Sequence, residues 1–90
     1  MRLGNSKITI GLSERIFNNY VYASKLFNEQ YENEFRIDLF LDFSKLNIYL
    51  RNIKEQTSFK LEILNNCIND LSVNEIFESY IELLNKCYKV

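Results

Sequence analysis

The chain has 90 residues, of which 47% are hydrophobic and 26% charged, with no proline, two glycines, no histidine and a formal net charge of −1. Such an apolar share excludes a disordered tail, and the missing histidine removes the commonest general base and the commonest zinc ligand together. Serine or cysteine catalysis that relies on an imidazole, zinc fingers and the metalloprotease helix are therefore out.

At this length one core is affordable, so residues 1–90 read as a single domain. Eleven cations against twelve anions give none of the basic surplus that duplex-binding proteins usually carry. The charge is unevenly spread: residues 35–60 hold five cations and three anions, residues 61–90 two cations and five anions. Residues 1–7 lack the apolar stretch of a signal peptide, and the longest unbroken apolar run is Tyr20–Ala23. These features predict a cytoplasmic protein without a membrane span. Two cysteines, Cys67 and Cys87, do not make a disulfide framework, and both are expected to be reduced core residues.

In chain order, residues 7–12 alternate, with Ile8, Ile10 and Leu12 on one side and Lys7, Thr9 and Gly11 on the other, which predicts a short strand. Ser13 offers an N-cap and Glu14 a first-turn carboxylate for a helix over 14–31. Its inward arc gathers Ile16, Phe17, Tyr20, Ala23, Phe27 and Tyr31. Residues 35–43 alternate with period two, and so do residues 46–51. A two-residue loop at Ser44-Lys45 would set Phe43, Leu41 and Leu39 against Leu46, Ile48 and Leu50 on one face. Phe40 would then oppose Tyr49, and Asp38 Arg51, on the other. A longer loop is the alternative, since Ser-Lys lacks the usual hairpin turn residues. Residues 58–71 read as a helix with Leu61, Ile63, Leu64, Cys67, Ile68 and Leu71 on a broad face. Ser72-Val73-Asn74-Glu75 is a capping box that opens a last helix over 73–88, with Ile76, Phe77, Tyr80, Ile81 and Leu84 inward. The expected fold is α+β in the order βαββαα, a three-stranded antiparallel sheet with helices packed on one face.

No phosphate-cradling glycine motif is present, because Gly4 and Gly11 stand apart. Asp38 and Asp42 share a strand face, and Glu75, Glu78 and Glu82 form a helical stripe. Either group could hold a hard cation or supply an acid and a base, but a charged stripe opposite an apolar arc reads as a solvated surface. No catalytic residue, cofactor or metal is expected.

Residues 6–17, Ser-Lys-Ile-Thr-Ile-Gly-Leu-Ser-Glu-Arg-Ile-Phe, resemble the opening of a ribbon–helix–helix repressor. That resemblance implies a dimer that pairs this strand and places Lys7, Thr9 and Gly11 in the major groove of DNA.

Four large apolar residues fit no single core. Tyr22 and Leu26 lie off the inward arc of the first helix, and Phe40 and Tyr49 fall on the sheet face opposite the core pairs. Either a second layer covers them or they form an exposed patch for a protein partner, with Asp38 and Arg51 as its polar rim. The leading expectation is a non-enzymatic interaction protein that inhibits or modulates a macromolecule, as small inhibitors, immunity proteins and phage anti-defence proteins do. The DNA-binding dimer is the alternative, and monomer and homodimer both remain open.

Overall fold

The computed structural model describes residues 14–88, so the strand expected at 7–12 lies outside the described residues. Helix α1 spans Glu14–Gln30 and is followed by strands β1 (Phe35–Leu41), β2 (Lys45–Asn52) and β3 (Thr57–Leu64). A single 3₁₀ turn, Asn65–Cys67, leads to helix α2, Val73–Tyr88. The strands form one antiparallel sheet in the order β1-β2-β3, so the fold is α+β with a three-stranded antiparallel sheet and two helices.

Alternation within the strands sets the layering. Phe35, Ile37, Leu46, Ile48 and Leu50 point to one face and join Tyr20, Ala23 and Phe27 of α1 and Ile76, Tyr80 and Leu84 of α2 in the buried core. Each helix presents a stripe at spacings of three and four, as its sequence requires. Ile16, Phe17 and Tyr31 pack at the margin of the same core. The Tyr80 hydroxyl donates to the Tyr20 carbonyl at 3.1 Å, tying the two helices together in a setting from which water is excluded. Ser72 caps α2 in the expected reciprocal way: its Oγ accepts from Glu75 N at 3.2 Å, and its N–H donates to Glu75 Oε1 at 2.9 Å.

Three expectations are corrected. The β1–β2 hairpin turns at Phe43-Ser44, one residue earlier than Ser44-Lys45, with Asp42 N–H donating to the Lys45 carbonyl at 2.8 Å. The register therefore moves by two residues: Leu41 opposes Leu46, Leu39 opposes Ile48 and Ile37 opposes Leu50. A two-residue shift keeps every side chain on its face, so the core assignment survives the change. Asp42 stabilises this turn by accepting the Phe43 N–H at 2.7 Å, and the shift brings Ile37 and Phe35 into the core while Phe43 goes to solvent.

The second correction concerns residues 58–71, which are not a helix. Residues 57–64 form β3, because Phe59, Leu61 and Ile63 pair with Leu50, Ile48 and Leu46 across the ladder. A four-residue loop, 53–56, makes that pairing local. Asn52 Oδ1 accepts from Glu55 N at 3.0 Å, and Gln56 takes a left-handed backbone with φ 57°. The third follows from the second. Cys67 sits exposed on the 3₁₀ turn and is no core residue, while Cys87 is half-buried against the core, and both thiols are free. A ribbon–helix–helix chain would begin a second helix soon after α1, and here β1, Phe35–Leu41, stands in that place.

Candidate functional site

The sheet has two unlike faces. Its core face lies under the helices; its outer face is covered by no described element and carries the even-numbered residues of β1 and β3 and the odd-numbered residues of β2. Phe40 is 63% exposed there and meets the half-buried Tyr49 edge-to-face, with ring centroids 5.6 Å apart. The register sets Phe40 against Asn47 and Asp38 against Tyr49, so the ring contact is diagonal across the two strands. Beneath it the buried Asn47 donates to the Phe40 carbonyl at 3.3 Å, while its Oδ1 finds no partner among the described residues.

Two charge triads frame this aromatic pair. Arg36 and Arg51 stand directly opposite one another, a repulsive arrangement that Asp38 relieves by bonding both. Arg36 Nε reaches Asp38 Oδ1 at 2.9 Å and Arg51 Nη1 reaches Oδ2 at 3.5 Å. Towards β3, Glu62 bridges Lys60 at 2.8 Å and Lys45 at 3.2 Å. Hydrogen bonds from these two lysines, Lys60 first, hold the Glu62 carboxyl below its ordinary range, and the same bond raises the Lys60 ammonium. Lys60 Nζ also lies 5.7 Å from the centre of the Tyr49 ring. The outer face thus holds four cations against two anions on a chain whose total charge is −1. By contrast Glu75, Glu78 and Glu82 are exposed on α2, so basic and acidic surfaces are segregated.

Of the six residues expected to form one patch, the structure gathers Phe40, Tyr49, Asp38 and Arg51. Tyr22 and Leu26 are exposed at 59% and 45%, yet they ride on α1, which packs against the core face. The sheet and core therefore lie between the two exposed groups. Lys25 Nζ sits 5.7 Å from the centre of the Tyr22 ring. Arg36, Lys45, Lys60 and Glu62 were missing from the expected patch. The signal that could have found Lys60 and Glu62 is the alternation of Ser58, Lys60 and Glu62 with Phe59, Leu61 and Ile63.

A second feature adjoins β3. A cleft of about 550 Å³ opens between β3 and α2, walled by Ile48, Leu61, Ile63, Ile76, Tyr80 and Leu83. Its rim includes Glu82 and Lys86. Asp38, Asp42 and the α2 glutamates do not converge: among the described residues no three acidic, cysteine or histidine side chains come together as a metal site. No described helix is long and apolar enough to cross a membrane. No family model matches the chain, and no curated protein or solved structure is significantly similar to it.

Proposed function

We propose that this chain is a non-enzymatic interaction protein that binds an acidic surface of a partner protein through the outer face of its sheet. By occupying that surface it inhibits or modulates the partner, in the manner of inhibitor, immunity and phage anti-defence proteins. The observation that carries the reading is the exposed Phe40, braced edge-on by Tyr49 and framed by four cations. An aromatic ring fixed in one orientation loses little entropy when a partner buries it, and aromatic and arginine side chains are the usual anchors of interfaces. The surrounding cations steer an acidic partner and set the register of docking. Both triads keep an anion at their centre, so the cations are held in place while the face retains its positive surplus.

The test is capture from a cell extract with the wild-type chain and with Phe40→Ala/Tyr49→Ala. The proposal expects a protein that the wild type retains, that rising salt releases, and that the double variant fails to hold while keeping its far-ultraviolet circular dichroism. A labelled single-stranded oligonucleotide is the second arm. If it binds and the same variant abolishes that binding, the face is a nucleic-acid platform and the protein reading fails. The DNA-binding alternative rests on Lys7, Thr9 and Gly11, outside the described residues; a duplex mobility shift lost in Lys7→Ala would move the function there.

A further inference from the structure

The two edges of the sheet are treated differently. On β1 the outward backbone groups are those of the odd-numbered residues, since Asp42 N–H and the Glu34 carbonyl point towards β2. Two of these odd positions are satisfied by the rest of the chain. Phe35 N–H donates to the Tyr31 carbonyl at 3.1 Å, and the Asn28 amide takes both groups of Ile37, accepting its N–H at 2.7 Å and donating to its carbonyl at 3.1 Å. A helix side chain thus blunts the β1 edge, one of the ways in which proteins prevent strand addition.

The β3 edge has no such cover among the described residues. Asn65 N–H donates to the Ser44 carbonyl, which fixes the hydrogen-bonding phase of the ladder: the odd residues of β3 bond to β2 and the even ones face outward. Ser58, Lys60, Glu62 and Leu64 therefore present their N–H and C=O groups to the outside along a strand of eight residues, seven of them exposed. Beside this edge Phe59 and Leu61 are 41% and 37% exposed, and Leu61 lines the cleft that α2 leaves over β3.

We infer that β3 pairs antiparallel with β3 of a second copy of this chain, in the register centred on Leu61. Antiparallel pairing of two identical edges by a two-fold axis requires outward-facing residues to oppose outward-facing residues. Centring on Lys60 or on Glu62 would set like charges directly opposite. Centring on Leu61 sets Lys60 against Glu62 of the other copy, twice, and pairs residues 58–64, all but the first residue of the strand. The same register brings Leu61 against Leu61 and Phe59 against Ile63 as non-hydrogen-bonded pairs, whose side chains approach most closely. Both apolar pairs lie on the core face, so the two cores become continuous along a six-stranded sheet. The self-complementarity of Phe59-Lys60-Leu61-Glu62-Ile63 about its centre selects a second copy as the occupant. The pairing shares Lys60 and Glu62 with the frame of the outer face, yet the two fail separately: a monomeric wild type overturns the pairing and leaves binding through Phe40 and Tyr49 untouched.

Sedimentation of the full chain tests the association, and two sets of variants test its register. The wild type is expected to sediment at twice its chain mass, and Lys60→Glu as a folded monomer, because Glu62 then faces an anion in each copy. Lys60→Glu/Glu62→Lys restores the opposite charges and the dimer. In a Cys67→Ser/Cys87→Ser background, Leu61→Cys should cross-link between copies on mild oxidation, since the two positions are direct neighbours about 4.5 Å apart at Cα. Phe59→Cys should not, because its own copies stand four residues apart along the strands, about 13 Å. A wild type that stays monomeric up to its solubility limit overturns the proposal. So does a dimer that Lys60→Glu leaves intact, or one that cross-links through position 59 and not 61.

Discussion

At the scale of single residues, Tyr80 shows how a core side chain couples stability to pH. Its hydroxyl donates to the Tyr20 carbonyl inside the core, and burial raises the phenol far above its ordinary value; burial raises Tyr20 as well, to a lesser degree. The neutral form is the one the fold accepts. In the unfolded chain Tyr80 ionises near pH 10, while the folded chain keeps its proton, so the contribution of Tyr80 to stability is constant below that pH and falls as pH rises further. Tyr80→Phe loses the hydrogen bond and starts about 1 kcal/mol less stable at pH 7. Its urea midpoint should decline less steeply above about pH 10, because one of the two groups responsible has gone. Parallel alkaline slopes for the two proteins would show that Tyr80 does not carry the effect.

Among the elements, α2 was the most legible. Ser72 and Glu75 bond each other's backbone as the spacing predicts, and Ile76, Tyr80 and Leu84 fill the core. Ser72→Ala should cost about 1 kcal/mol, which for a domain of this size lowers the thermal midpoint by about 4–8 °C. Unchanged melting would mean that the cap is replaced by water. Both features are local, and local features can be read from a chain: the stripe of α1 and the two faces of β1 and β2 followed for the same reason. The register did not, because sliding the turn by one residue leaves the pattern of faces unchanged. What decided it was Asp42, whose carboxylate holds the turn at Phe43-Ser44. β3 was hidden differently. Phe59, Leu61 and Ile63 alternate as a strand should, but Leu64, Cys67, Ile68 and Leu71 extend the apolar pattern into something helix-like. Pairing with Leu46, Ile48 and Leu50 resolves the ambiguity, and that information lies in another strand.

For the whole molecule, the consequence of the fold is that exposed aromatics on one chain end up on two sides of a layer. Alternation alone placed Phe40 and Tyr49 together on the outer sheet face, and helical periodicity placed Tyr22 and Leu26 off the core. No local pattern could say that the sheet would come between them, because that depends on which face α1 covers. The basic frame of Lys45, Lys60 and Glu62 became visible only once β3 was a strand. One face, not both, is therefore the proposed partner surface. The most direct measurement is calorimetric titration of the captured partner into two double variants. Phe40→Ala/Tyr49→Ala should weaken binding by at least about 30-fold, the loss of a single interface anchor, and Tyr22→Ala/Leu26→Ala should leave it near the wild-type value. Loss of binding in the α1 variant with the sheet-face variant unaffected, both remaining folded, would contradict the account.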